Sequence, residues 1–332
     1  MVTFLLRRLM AVVVMLVVIV VVVFGIFFLI PKWTGVDVAT MYVGKTSSAE
    51  ALQGVREKLQ LDDPIWTQVL EFFKGIFAGR TYSGGGDVTH CAAPCFGYSF
   101  KNEQAIWPVL TDRLPVTVSL AVGAAILWLL FGVAAGVLSA LRRGSLWDRS
   151  AMVVALSGVS LPIFFTAMLS LAIFDYGLGW INSGYHSFGD SPGGWFQGML
   201  LPWITLAFLY AAMYARITRA TMLEVLGEDY IRTARAKGLG ERVVIGKHAM
   251  RSTMTPLLTM LGMDLGALVG GAILTETAFS LPGLGQAVLK AISDRDLPVI
   301  LGVVMITSIA VILANLVVDI LYAVIDPRVR LA

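Results

Sequence analysis

Side chains able to do chemistry are sparse in this 332-residue sequence. Its only histidines, His90, His186 and His248, are far apart, and there is no His-Glu-x-x-His or Gly-x-Ser-x-Gly, so neither a zinc nor a serine hydrolase has its parts. Gly44-Lys45-Thr46 ends like a phosphate-binding loop. Position 39, however, is Ala where that loop needs Gly, which points nucleotide binding to other subunits. Cys91 and Cys95 bracket Ala92-Ala93-Pro94. Outside the cytoplasm such close thiols favour a local disulfide over free thiols, and with only His90 beside them they make an incomplete metal site, so no metal is expected. Asp264, Glu276 and Asp319 fall within or at the ends of apolar runs, where an ionisable residue marks either a translocation path, a proton relay or a structural hydrogen bond. The densest chemistry is basic: 216–251 carries 8 Lys/Arg against 4 Asp/Glu, between hydrophobic runs.

The elements that position these groups are membrane spans. At 57% hydrophobic and 14% charged, the chain is far from the soluble average of about a quarter charged. Uncharged runs at 9–30, 114–141, 151–174, 199–215 and 297–318, of 22, 28, 24, 17 and 22 residues, approach or exceed the roughly 20 needed to cross a bilayer. A sixth, 254–275, holds Asp264. The expected fold is all-α and polytopic with six transmembrane helices. The first run is too long for a signal-peptide core and is read as a retained helix. Lys and Arg near the spans (Arg7, Arg8, Arg142, Arg143, Arg149, the 216–251 loop, Arg328, Arg330) fall on one side if the helices alternate, which puts both termini in the cytoplasm.

Three regions follow: an N-terminal helix at 1–30, an extracytoplasmic insert at 31–112, and a core of five helices at 113–332. The insert reads as a small outer cap. It has an amphipathic helix near 48–61, a break at Asp63-Pro64, a second helix over 65–76, a flexible Ser83-Gly84-Gly85-Gly86 connector and then the cysteine pair. Pro162 and Pro202 predict kinks within spans, and Gly270-Gly271 a close helix contact.

Charges at the bilayer centre cost about 2.5–3.5 kcal/mol each, so the 229–251 segment must lie in water. Asp229 is placed as an N-cap, Tyr230 to Lys237 as a short helix, and Gly238 as a left-handed stop. Small Ala234, Ala236 and Gly238 would let this helix enter a groove on a partner, while Arg232, Arg235, Lys237 and Arg242 pair with acids at its edges. A proton-coupled secondary transporter using Asp264 or Glu276 is the rival reading, but it has no need of that helix.

The order Asp229-Tyr230-Ile231-Arg232-Thr233-Ala234-Arg235-Ala236-Lys237-Gly238-Leu239, with His248-Ala249-Met250-Arg251 and Pro256 after it, resembles the EAA loop of ABC importer permeases, and within them the dipeptide/oligopeptide/nickel branch. Arg232-Thr233-Ala234 stands where the loop has Glu-Ala-Ala, so the glutamate is absent. Leu59 to Pro64 with Gln68 resembles that branch's LGLD-x-P, and Arg113-Leu114-Pro115-Val116-Thr117 its RLP-x-T. Similar matches run through Arg142 to Ser145 with Asp148-Arg149, Ser160 to Phe164, Glu276 to Gly285, and Asn315 to Arg328. Pro31-Lys32-Trp33-Thr34 and the Cys-bearing 80–99 depart from the family pattern.

The resemblance implies a type I importer-like permease subunit of a peptide importer, not itself an enzyme and binding no cofactor. It also implies a second homologous permease, two ATP-binding subunits carrying ATP and Mg, an extracytoplasmic solute-binding protein and surrounding membrane lipid, with no nucleic acid. The cap and the 282–296 segment are the expected docking face.

Overall fold

The computed structural model describes residues 2–40, 48–84, 87–294 and 296–325; the Gly44-Lys45-Thr46 tripeptide lies outside them. Most described residues are helical. By packing the chain divides into two compact units, 1–116 with 283–312, and 117–282 with 313–332.

In the first unit, α1 (Val2–Phe24) runs through a π-helical stretch, Gly25–Leu29, into α2 (Ile30–Thr34) and stops at left-handed Gly35. The expected helices of the insert are present as α3 (Ala49–Leu59) and α4 (Ile65–Ala78). Pro64, extended at ψ 146°, separates them, and Gly79 at φ +77° ends the second. At Gly79 a Cβ would lie 2.8 Å from the Cys91 carbonyl, so glycine is required for both conformation and space.

The all-α expectation needs correcting here. Two small antiparallel sheets occur, β1 (Arg80–Gly84) with β2 (Asp87–Cys91) and β3 (Tyr98–Ser99) with β4 (Gln104–Ala105). Of the tract expected as a flexible connector, Ser83 and Gly84 instead pair with Val88 and Asp87 in a hairpin ladder, while Gly85 and Gly86 lie outside the described residues. Within the hairpin Tyr82 is buried and Val88 exposed.

The core of this unit joins Val20 and Phe24 of α1, Phe72 of α4 and Phe96 to Leu284, Ala287 and Ala291 of α13 (Leu284–Asp294) and to Val299 and Val303 beyond it. Phe72 meets Phe24 at 5.3 Å and Phe96 at 6.4 Å, both edge to face. Asp296, buried, accepts from the Ser99 hydroxyl and from Asn102 Nδ2 at 2.8 Å, and Lys101 pairs with Asp294 at 3.4 Å. These bonds tie the insert to the segment before the last helix.

Among the described residues three helices are long and apolar enough to cross a membrane: α5 (Ile106–Leu141), α8 (Pro192–Leu226) and the Leu297–Val318 part of α14 (Leu297–Ile325). Most of α5 and all of α8 belong to the second unit, whereas α14 up to Ile312 belongs to the first. The expected single kinked span at 151–174 is instead two helices, α6 (Leu146–Ser160) and α7 (Ile163–Ser170, continuing as a π-helix to Gly177), which meet at 105°. Pro162 is the cause. It cannot donate a backbone hydrogen bond and it drives Leu161 into extended geometry at φ −89°, ψ 130°. α8 overruns its apolar run at both ends, starting from a Ser191 side chain that accepts from the Gly194 amide, with Pro192 in the first turn. The 254–275 run appears as α11 (Met250–Gly271) followed by α12 (Ile273–Ala278).

α5 and α8 pack closely because α5 presents glycines. A Cβ on Gly132 would lie 2.9 Å from the Ala211 carbonyl oxygen, and one on Gly136 2.6 Å from that of Ala215. Gly132-x-x-x-Gly136 is a small-residue helix contact of the membrane type. Nearby, Trp128 stacks on Tyr210 at 4.6 Å.

Candidate functional site: the basic loop after α8

The 229–251 segment begins as α9 (Asp229–Ala236), one residue shorter at its end than expected. Glu228, extended and without a side-chain cap bond, occupies the N-cap; Asp229 is the first helical residue rather than the cap. Its charge still sits in the first turn, where the helix dipole favours an anion. The C-terminus is a Schellman motif. Gly238 is left-handed at φ +76°, its N–H donates to Arg235 at 2.9 Å, and the Leu239 N–H donates to Ala234 at 3.4 Å. Beyond it, α10 (Glu241–Val243) leads through π-helical Val244–Ala249 into α11.

Two residues bind α9 to its own subunit. Ile231 and Ala234, three apart and on one face, are buried with Met222 and Val225 of α8, Ala140 of α5, and Val244 and Ala249. Burying an isoleucine contributes about 1.5–3 kcal/mol. Ala234, expected to be offered to a partner, is here packed inside its own chain on the same face as Ile231. Asp229, Tyr230, Arg232, Thr233, Arg235, Ala236, Lys237, Gly238, Leu239 and Arg242 are all exposed.

The charges are partly matched locally. Arg235 holds Glu241 through Nε at 2.7 Å, Arg232 reaches Asp229 at 3.5 Å, and the Tyr230 hydroxyl lies 2.9 Å from that of Ser252. Such exposed pairs add little stability, but they set the direction of the guanidinium groups.

A second cluster was missed at the sequence level. Asp148, buried at the start of α6, accepts from Arg219 Nε at 2.6 Å and Nη2 at 2.9 Å, from the Gly144 amide at 2.9 Å and from the Ser139 hydroxyl. Its own amide donates to Ser145, the N-cap. One carboxylate thus joins the end of α5, the α5–α6 turn and the end of α8, the same helix that carries α9. Only the Ser145-x-x-Asp148 capping pattern was visible in the sequence; Arg219 is 71 positions away.

The two acids suggested for a translocation path are engaged within their unit. Glu276 is fully buried, with the Thr117 hydroxyl donating to it at 2.6 Å, and Asp264 accepts from the Tyr214 hydroxyl at 2.8 Å. They are 12 positions apart in sequence and have separate partners, so the geometry does not join them as a relay. Asp319 lies outside the residues whose side chains are described. Cys91 and Cys95 are disulfide-bonded and buried against Tyr82.

Comparison with known proteins matches this arrangement to one family. The family described as "Binding-protein-dependent transport system inner membrane component" matches residues 130–331, and its N-terminal companion matches residues 1–121. A putative peptide transport system permease protein of Brucella abortus (strain 2308) is 38% identical over 304 residues, covering 91% of this chain and 92% of that one. The dipeptide transport system permease protein DppB of Alkalihalophilus pseudofirmus is 35% identical, over 99% of this chain and 100% of its own. The glutathione transport system permease protein GsiC of Escherichia coli O1:K1 / APEC is 34% identical over 99% of both. Among solved structures, an inward-facing MetNI methionine ABC transporter aligns with TM-score 0.51 at 17% identity, over 66% of this chain and 97% of that one, a likeness of fold. With the two family matches spanning nearly all of its length, the chain belongs to the binding-protein-dependent transport system inner membrane components, the permeases of ABC importers.

Proposed function

We propose that this permease is one of two homologous membrane subunits of an ATP-driven peptide importer and that α9 couples it to an ATPase. It crosses the membrane six times with both termini in the cytoplasm, α6 and α7 together counting as one broken span. It lines half of the translocation path. Two ATP-binding subunits carry ATP and Mg, and an extracytoplasmic solute-binding protein delivers the cargo to the 31–112 insert and the segment after Gly283. Peptide cargo is supported by the relatives, which are named for peptide, dipeptide and glutathione transport.

The observation that carries the coupling role is the division of labour on α9. Ile231 and Ala234 fasten it to α8, to Ala140 of α5 and to the π-helical stretch that leads into α11, while Arg232 and Arg235 on its other side, and Lys237 and Arg242 just beyond it, are exposed. A short helix fixed on one side and free on the other moves as a rigid body with the helices it is fastened to. Closure of the ATPases on nucleotide would displace α9, and α8 and α11 with it.

The test is Ala236→Trp, which adds bulk on the exposed face without touching the anchor. In the reconstituted complex it should abolish ATPase stimulation by loaded binding protein, while the subunit still copurifies with its second permease. Normal stimulation in that variant refutes the coupling role.

A further inference from the structure

The helix α4 has two apolar faces, and only one of them is used by the protein. Phe72 and Gly75, with Gln68, are buried in the first unit. On the other side Trp66, Leu70 and Phe77 are 70%, 68% and 83% exposed. At about 100° per residue these three fall, with half-buried Phe73, in an arc of roughly 60° opposite the buried face.

The depth of this stripe follows from what the buried face touches. Phe72 packs edge to face on Phe24 of α1, and Phe24 lies six residues before Ile30, where the first apolar run ends. At 1.5 Å per residue the contact is about 9 Å inside that end. The α1 helix does not stop beneath α4 but continues through Gly25–Leu29 and Ile30–Thr34, so α4 packs against its side. Trp33, 80% exposed, marks the same end as an interfacial aromatic would.

We propose that α4 is an interfacial helix whose Trp66–Leu70–Phe77 face lies in the outer leaflet of the bilayer, so that lipid acyl chains and not water or a partner protein cover it. Helices of this kind sit about 5–10 Å into the boundary of headgroups and acyl chains, the depth at which Phe24 places this one. Thr67, Glu71 and Lys74 lie together on one flank between the two faces, with Lys74 paired to Glu71 at 3.2 Å, the polar edge such a helix turns to the headgroups. The insert is then not a cap standing clear of the membrane: one edge of it floats on the leaflet. This inference rests on the reading of 9–30 as a span.

Nitroxide labels at Trp66→Cys, Leu70→Cys and Phe77→Cys, placed singly, test it in the assembled transporter in phospholipid nanodiscs. Val18→Cys serves as the reference for the span and Glu57→Cys for water. The disulfide of Cys91 and Cys95 keeps the native cysteines unlabelled. The three positions should be more accessible to oxygen than to a water-soluble nickel chelate, as Val18 is. Preference for nickel, as at Glu57, overturns the proposal, and so does inaccessibility to both, which would mean a protein partner covers the face. If Val18 itself prefers nickel, the span reading falls and takes the inference with it, a result distinct from failure at α4 alone. On the unaltered chain, a lipid carrying a photoreactive group in its acyl chain should label 66–77; no labelling there counts against the proposal.

Discussion

A single methyl group at Gly136 tests the packing on which α8, and through it α9, depends. Built on the backbone, the added Cβ of Gly136→Ala would lie 2.5 Å from Thr218 Cβ and 2.6 Å from the Ala215 carbonyl oxygen. Carbon contacts settle near 3.5–4.0 Å, so α5 and α8 must part by about 1 Å at this level. Neither neighbour can give way. The carbonyl is helix backbone, and Thr218 is fully buried and β-branched, with few rotamers open to it. Overpacking of this kind costs about 1–3 kcal/mol. At roughly 2–4 °C per kcal/mol for a unit of this size, the unfolding midpoint should fall by about 2–12 °C.

Gly246→Ala is the matched control. It is also a helical glycine, but nothing lies within 4 Å of the added Cβ and its φ is ordinary. Removing glycine from a helix there should stabilise by about 0.5–1 kcal/mol. The assay is recovery of monodisperse protein in detergent after heating, read by size-exclusion chromatography. A Gly136→Ala midpoint unchanged within about 1 °C, or a Gly246→Ala loss of equal size, would sink the packing argument.

Other consequences can be measured separately. Ile231→Asp should lower yield and thermal stability of the permease alone, whereas Arg232→Glu should leave both unchanged and weaken only ATPase stimulation; equal behaviour of the two contradicts the two-sided α9. At the Asp148 cluster, Arg219→Ala should lower the unfolding midpoint more than the double change Asp148→Ala with Arg219→Ala, because the single one strands a carboxylate. Strict additivity counts against their coupling. Gln60→Gly should raise the stability of the insert by about 1 kcal/mol in a protease-resistance assay, since Gln60 holds φ +53°, a region that side chains resist. Arg56 lowers the carboxyl of Asp37 below its ordinary value through a hydrogen bond, and this favours the folded state at neutral pH. The small contribution should be lost as pH falls below about 4 and through the lowered value, and Arg56→Ala should abolish that dependence in acid titration of unfolding.

How much of this was legible in the sequence varied with the range of the interaction involved. Helices set by continuous apolar runs or local punctuation were clear: α5, α14, the Pro64 start of α4 and the Gly238 stop of α9 follow from composition and single residues. Pro162 was visible as a kink, but a kink and a 105° break use the same residue, and neighbouring helices decide between them. The hairpin at 80–91 was hidden because the glycines suggest a linker, while the alternation is only a few residues long. The burial of Ala234 was not anticipated because the EAA-like pattern drew attention to its size rather than to the i, i+3 spacing with Ile231, which puts it on the inner face. The Gly132-x-x-x-Gly136 contact carries a sequence signal that the more conspicuous Gly270-Gly271 obscured. No local signal could pair Asp148 with Arg219.

That last separation matters while the chain is being made. Asp148 leaves the ribosome 71 residues ahead of Arg219, which at about 5–20 residues per second is a wait of roughly 4–14 s. Until α8 has been synthesised, the anion has only a hydroxyl and an amide for company, so the turn between α5 and α6 can be completed only by a helix translated later. A nascent chain arrested before Arg219 should therefore hold that turn loosely.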